Sequence, residues 1–197
     1  GGFTGSESTR EAAVEYASKR IAKQSYVSLG SFGGYIIVGF DHSIQNKGGY
    51  DFAIQGNAFD SSNEPGIVWV MQDVNGNGLP DDEWYELRGS EYDNAETIRG
   101  YKITYTRPAE ADAPVAWSDN TGGSGTIDRV KEHTQAYYPE WLGEQFTFEG
   151  TRLPDNIGKA GEKWTMEPFA WGYADNYSAS DRTGMTNRLR LSDAVTA

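Results

Sequence analysis

The sequence predicts a mostly β chain, a jelly-roll-like β-sandwich with one N-terminal α-helix. From residue 26 onward it falls into short segments rich in Val, Ile, Tyr, Phe and Trp, bounded by Gly, Asn, Asp or Pro, a pattern typical of strands. The 24 glycines supply turns between such strands. Because one domain usually takes about 100–200 residues, we expect a single domain over residues 1–197.

The predicted helix covers residues 6–24. Ser6 or Ser8 can cap it, and Glu11 follows Ser8 at the spacing of a capping box. An apolar stripe recurs with the helical period. Its members are Ala13, Tyr16, Ala17 and Ile21. We expect this helix to pack against the sheets and not to carry function.

Nine segments carry the strand pattern. They are residues 26–30, 31–41, 50–59, 66–73, 83–89, 97–108, 113–117, 143–153 and 187–193. Alternation within Lys102–Thr106 places Ile103 and Tyr105 on one face of a strand and the polar residues on the other. Residues 118–124 are expected to form a loop.

Composition excludes several classes of function. The 17 basic and 29 acidic residues give a net charge of −12, which argues against nucleic-acid partners because these are bound through neutralised phosphates. No run approaches the roughly 18 apolar residues of a membrane span, so no transmembrane segment is expected. The absence of Cys excludes thiolate nucleophiles, cysteine zinc sites and disulfides.

The clearest chemical motif is a calcium-type loop that begins at Asp73. Oxygen-bearing side chains recur there at the spacing of an EF-hand loop, with Gly78 at its glycine position. Calcium prefers six to eight hard oxygen ligands, which such a curve provides. The predicted ligands are Asp73, Asn75, Asn77, the Leu79 carbonyl, Asp81 and Asp82.

This loop departs from an EF-hand in two respects. Trp84 stands where the closing bidentate Glu is expected, and the flanking segments look like strands instead of helices. We therefore expect Ca²⁺ on a β-hairpin, with Asp82 or Glu83 completing its shell and a structural role for the ion. The alternative is a metal-free Asn-Gly turn.

Aromatic residues are concentrated in loop-like contexts of the second half, most densely in residues 169–177. Flat rings beside amides and carboxylates suit sugar faces or other flat ligands. The alternative is that these rings fill the core. The predicted ligand-binding residues are Trp117, Tyr137, Tyr138, Trp141, Trp171, Tyr173, Asp175 and Asn176.

No motif indicates catalysis. There is no Gly-x-Ser-x-Gly nucleophile motif, and no spacing singles out a pair among the many carboxylates. Asp41 could orient His42, but a structural or surface role for this histidine is expected. His133 either lies at the rim of a ligand site or belongs to a loop held by aromatic side chains.

The strand EPGIV running into the hairpin NGNGLPDDEWYEL, together with GSFGGYIIVGFD and FAWGYADNYS, resembles a family of secreted cell-surface proteins from gut Bacteroidetes. The resemblance covers residues 26–195 and implies a jelly-roll-like β-sandwich at the cell surface. It supplies no catalytic residues. Family members are often lipoproteins, which implies a lipid anchor outside these residues. In the family pattern a further strand follows the segment NRLRLSDAV, whereas this sequence stops at Ala197. Without that strand we expect either an open sheet edge or a different strand pairing.

Together these patterns predict a non-catalytic, calcium-stabilised module at the cell surface, associated with the outer membrane, that binds a glycan or another small ligand. Three alternatives stay open at this point. The first is a glycan-active hydrolase or lyase on a jelly-roll scaffold, the second is capture of a corrinoid-like nutrient, and the third is adhesion to a protein partner. The fold alone does not distinguish them.

Overall fold

A computed structural model describes residues 7–133 and 135–196 of the chain. Strands make up 30% of the residues and helices 9%, which confirms the predicted fold class, mostly β and consistent with a β-sandwich, with one α-helix. The elements in order are α1 Arg10–Ala22, β1 Phe52–Gln55, β2 Trp69–Met71, β3 Trp84–Leu87, β4 Ile98–Thr106, β5 Val115–Asp119, β6 Ser124–Ile127, β7 Gln145–Arg152, β8 Ile157–Ala160, β9 Lys163–Met166, β10 Arg182–Thr183, β11 Thr186–Leu189, a 3-10 turn Leu191–Asp193 and β12 Ala194–Thr196.

The helix starts later than predicted. Thr9 is the N-cap, and its hydroxyl accepts a hydrogen bond from the Ala12 N–H at 3.1 Å. The prediction of Ser8 as the cap is therefore wrong. Ser6, the other predicted cap, lies outside the described residues. The apolar stripe is half-buried, but Ile21 at its end is 43% exposed and no residue of α1 is buried. Among the described residues, no helix has the length and apolarity that a membrane span needs.

The prediction of strands at residues 26–30 and 31–41 is wrong. All residues from 26 to 51 are described, and none of them belongs to a strand. Tyr35 and Phe40 remain 68% and 61% exposed. Branched and aromatic residues favour a strand only where side chains of a neighbouring strand pack against them. No strand pairs with this apolar segment, so it does not form one.

Five strands were missed by the sequence patterns, among them the two-residue strand β10 Arg182–Thr183. Strand β6 begins in the predicted loop 118–124 and pairs antiparallel with β5, from Val115↔Ile127 to Ser118↔Ser124. Strands β8 and β9 form a hairpin of their own, and β12 pairs with β3 in the register Ala194↔Leu87. These strands are only two to four residues long, too short to show an alternating pattern, so their pairing is set by neighbouring strands.

The chain divides into two compact units. Unit 1 consists of residues 7–36 and 99–150 apart from Thr134, and contains α1 and most of the sheet β6-β5-β4-β7. Its core includes Ile103 and Tyr105, which are 1% and 4% exposed, whereas Lys102 and Thr106 are exposed. The alternation predicted for this strand is therefore confirmed.

Unit 2 consists of residues 37–98 and 151–196 and contains the sheets β1-β11-β10, β12-β3-β2 and β8-β9. Strand β11 lies in the middle of its sheet, where Phe52 faces Leu189 and Ile54 faces Asn187. Leu189 and Asn187 are both buried. The prediction of a single domain over residues 1–197 stays a prediction.

Acid should destabilise unit 1 through Asp119. Burial acts to raise the pKa of this carboxyl, but hydrogen bonds from Thr121, Gly123 and Tyr101 outweigh it and lower the pKa from 3.8 to about 2. A depressed folded-state pKa gives stability that is complete above pH 3.8 and is lost as the pH falls towards 2. We expect Asp119→Asn to lower the melting temperature at pH 7 and to flatten its decline between pH 4 and 2.

Thermal melts of the wild type and of Asp119→Asn across that pH range measure the effect. Glu110→Gln is the matched control, since Glu110 is an exposed carboxylate of the same unit. Parallel curves for the wild type and Asp119→Asn would contradict the assignment.

Candidate functional site

The predicted calcium loop connects β2 and β3, whose last pair is Met71 and Trp84. The Asp73 carboxylate accepts hydrogen bonds from the backbone N–H groups of Gly76 at 2.8 Å, Asn77 at 3.1 Å and Gly78 at 2.9 Å. Gly78 has φ +72°, a left-handed conformation that suits glycine. The backbone therefore curves around Asp73, as the motif predicts.

Two of the predicted ligand side chains, those of Asn75 and Asn77, contact a third, that of Asp81. The Nδ2 of Asn75 lies 3.1 Å from Asp81 Oδ1, and the Nδ2 of Asn77 lies 3.0 Å from Asp81 Oδ2. These hydrogen bonds lower the pKa of Asp81. Asp82 accepts the Val74 N–H at 3.0 Å and so is also turned into the loop.

The loop is composed of oxygen donors that suit calcium. Glu83 accepts a hydrogen bond from the Tyr85 hydroxyl at 2.7 Å, which favours Asp82 over Glu83 as the residue that completes the set. In the described part of the chain, no three His, Cys, Asp or Glu side chains are grouped so that they could hold a metal. The predicted set contains three carboxylates, Asp73, Asp81 and Asp82, and these are not grouped in that way, so calcium at this loop stays a prediction.

A pocket of about 220 Å³ lies in unit 2 beside the end of β11, whose Arg188 and Leu189 both line it. Trp171 and Tyr50 are 39% and 38% exposed and offer flat apolar surface there. The pocket is lined by Tyr50, Trp171, Gly172, Ser180, Asp181, Arg188, Leu189, Arg190 and Asp193.

Two guanidinium groups lie over the ring of Tyr50. The Cζ atoms of Arg188 and Arg190 are 4.3 Å and 4.7 Å from its centroid, within the range of cation–π contacts. A hydrogen bond with Tyr50 raises the pKa of Arg190. Burial raises the pKa of Asp193, against the effect of the neighbouring Arg190 charge. The pocket therefore combines aromatic surface with charged groups of both signs.

The loop that carries Trp171 is closely packed at Gly172. This residue has φ +91°, and a Cβ there would lie 2.4 Å from Gly89 Cα and 2.8 Å from the Arg88 carbonyl oxygen. Its N–H donates to Asp181 Oδ2 at 2.7 Å, and the Trp171 carbonyl accepts the Ser90 N–H at 3.0 Å. The backbone on either side of Trp171 is thus held in place.

The three other residues predicted from this loop support it from within. Tyr173 is 2% exposed, and its hydroxyl oxygen accepts the Glu91 N–H at 3.0 Å. Asn176 is fully buried. Asp175 has φ +52° and accepts the N–H groups of Asn57 and Ala58 at 2.6 Å and 2.8 Å. The polar groups of these three side chains bind the protein itself, so the ligand site proposed below does not include them.

The remaining four predicted ligand residues lie in unit 1. Tyr138 is 5% exposed, and its hydroxyl donates to the Gly143 carbonyl at 2.6 Å. It lines a pocket of about 400 Å³ together with Arg107, whose Cζ lies 4.9 Å from the centroid of the Tyr138 ring. Trp117 and Trp141 are half-buried. The aromatic residues that the sequence analysis grouped are therefore divided between the two units.

The two histidines lie in different units. His133, which is exposed, hydrogen-bonds the hydroxyl of Tyr137, and that hydroxyl also accepts the Val130 N–H at 3.1 Å. His42 pairs with Asp41 at 2.6 Å, and both side chains are largely exposed. These contacts favour local structural roles for both histidines.

Sequence reasoning missed Tyr50, Arg188 and Arg190 as site residues. The alternation of side-chain direction along residues 187–190 could have predicted the position of the two arginines. Asn187 and Leu189 point into the core, so Arg188 and Arg190 belong to the opposite face. No pattern could have placed Tyr50 beside them, since it comes from a segment far away in sequence.

Comparisons with known proteins add no family to these observations. No family model matches the chain, and no curated protein matches it.

Because Gly172 needs its left-handed backbone and has no room for a side chain, Gly172→Ala should destabilise the protein strongly. We expect a loss of more than about 2 kcal/mol, since the left-handed conformation alone costs about 1–2 kcal/mol for an L-residue. For a chain of this size the melting temperature should fall by about 5 °C or more.

Gly184→Ala is the matched control. Gly184 also has a positive φ, +62°, but a Cβ there meets no atom within 4 Å. Thermal or urea unfolding of both variants measures the difference. Equal losses would show that close packing at Gly172 contributes nothing.

Proposed function

We propose that this protein is a non-catalytic, calcium-stabilised module that binds glycans at the cell surface. The observation that carries the proposal is the exposed Trp171 ring, held beside Tyr50 over a pocket with several polar groups. The surface location, the outer-membrane association and a lipid anchor outside the described residues rest on the resemblance to secreted Bacteroidetes proteins.

The composition of the pocket supports a sugar ligand. An indole ring can cover the C–H face of a sugar, while hydroxyl and guanidinium groups form hydrogen bonds with its hydroxyls. The two arginines supply such groups next to Trp171, and the Ser180 hydroxyl, which donates to the Ala170 carbonyl at 2.9 Å, can accept a hydrogen bond from the sugar. The loop that bears Trp171 is fixed by backbone hydrogen bonds, so binding would cost little ordering of the protein.

Calcium would be held by Asp73, Asn75, Asn77, the Leu79 carbonyl, Asp81 and Asp82. The ion would supply positive charge to a loop whose carboxylates otherwise rely on backbone N–H groups and amides. Because the loop joins β2 and β3, its stabilisation would reach the sheet that these strands share with β12.

A glycan-active enzyme is the second candidate, and Asp193 is the observation that favours it. Burial raises the pKa of this pocket carboxyl, as a general acid requires. Glycosidases usually need two carboxyl groups. The other one, Asp181, is 3% exposed and accepts hydrogen bonds from the Gly172 N–H and the Ser178 hydroxyl. We therefore favour binding without hydrolysis.

Removal of calcium tests the metal part of the proposal. EDTA should lower the melting temperature, and added Ca²⁺ should restore it. At a calcium concentration of 100 times Kd, linkage gives about 2.7 kcal/mol, or about 5–10 °C. Asp73→Asn should abolish the shift, because it removes one of the carboxylates of the loop.

Asp60→Asn is the control for this experiment, because Asp60 is an exposed carboxylate of the same unit outside the loop. It should respond to Ca²⁺ as the wild type does. A wild-type melting temperature that is the same in EDTA and in Ca²⁺ would remove the site.

Substitution of Trp171 tests the ligand part. A glycan array followed by isothermal titration of the hits should show binding that Trp171→Ala weakens at least about tenfold, because an aromatic anchor contributes a large share of the binding energy. Trp164→Ala is the matched control, since Trp164 is 67% exposed in β9 and does not line the pocket.

Two outcomes would contradict this proposal. One is a glycan array without any hit, and the other is equal loss of binding in the two tryptophan variants. Incubation of each hit with the protein, followed by chromatography of the sugar, separates binding from hydrolysis. Cleavage that Asp193→Asn abolishes would establish the enzyme instead.

A further inference from the structure

The pocket of unit 2 presents two cations side by side. Strand β11 turns Asn187 and Leu189 into the core, which leaves Arg188 and Arg190 on the outer face, where both guanidinium groups lie against the ring of Tyr50. Arg188 is partly held by the Asp181 and Ser180 carbonyls, at 3.2 Å and 3.5 Å. In a chain of net charge −12, two neighbouring guanidinium groups at one pocket need a chemical reason.

The carboxylates of this pocket are less exposed than Arg190. Asp181 is buried, and its two oxygens accept hydrogen bonds from Gly172 and Ser178. Asp193 is half-buried and its pKa is raised. Asp51, from the neighbouring segment, accepts the N–H groups of Lys47 and Leu191 at 2.9 Å and 2.8 Å. Arg190 is exposed, so a ligand at the pocket can reach its guanidinium group.

A planar guanidinium group matches the geometry of a carboxylate, as it does that of a phosphate, and binds it through two parallel hydrogen bonds. Trp171, in the same pocket, offers the flat surface that a sugar ring covers. We infer that this pocket selects sugars that carry a carboxylate, that is, uronic acids, with Arg190 binding the acid group and Trp171 the ring. This inference rests on the proposed function and specifies its ligand class.

Uronic acid trisaccharides and their methyl esters test the inference, because esterification removes the charge and leaves the sugar unchanged. Isothermal titration would use galacturonic, glucuronic and mannuronic acid trisaccharides. At least one acid should bind tenfold or more tightly than its ester. Arg190→Gln should reduce this preference about tenfold or more, since a hydrogen bond to a charged group is worth at least that factor.

Two further variants keep the test specific. Arg190→Lys retains the charge without the planar fork and should give an intermediate preference. Arg152→Gln removes a positive charge elsewhere in unit 2, where Arg152 pairs with Asp155 at 3.0 Å, and should bind as the wild type does. Arg190 is exposed, and a melting curve of each variant verifies that it is folded.

The outcomes separate the inference from the proposed function. Equal affinities for acid and ester, or an acid preference that survives in Arg190→Gln, would overturn the inference. If Trp171→Ala still abolished binding in that case, the proposed function would stand. If no acid trisaccharide bound, the inference would fail, and neutral glycans compared in the wild type and Trp171→Ala would decide the proposed function separately.

Discussion

Buried amide side chains hold the loop that carries Trp171. Asn187 accepts the Asn176 N–H at 3.1 Å and donates to the Asn176 carbonyl at 2.8 Å, while the amide of Asn176 forms hydrogen bonds with both backbone groups of Phe169. Both asparagines are fully buried. A buried amide without partners would be costly, so this network specifies one arrangement of residues 169–176, and the pocket wall depends on it.

Strand β11 contributes Asn187 to this amide network and Arg188 to the pocket. Asn187 reaches the core from β11, and the two-residue period of a strand then directs Arg188 and Arg190 outward. A shift of register by one residue would exchange the two faces, placing the two arginines in the core and turning Asn187 and Leu189 outward. The burial of Asn187 and Leu189 therefore determines where the positive charge appears.

The loop between β2 and β3 is held differently, by hydrogen bonds between residues that are close in sequence. Asp73 binds three backbone N–H groups that follow it within five residues, and Asp81 receives the side chains of Asn75 and Asn77. These contacts depend on spacing along one tight curve. In the proposed function, the calcium loop stabilises the sheet and the Trp171 pocket binds the ligand, so the two features act separately.

Alternation and turn chemistry in the sequence determined the β class, the inner face of β4 and the curve around Asp73, because these depend on neighbouring residues only. Tertiary structure alone decided the rest. The apolar residues 35–40 form no strand because no partner pairs with them, and Asn176 belongs to the core although its polar context indicated a ligand site. Tyr50 meets Arg190 from a distant segment, since contacts across the fold are set by packing and pairing energies that no local pattern contains.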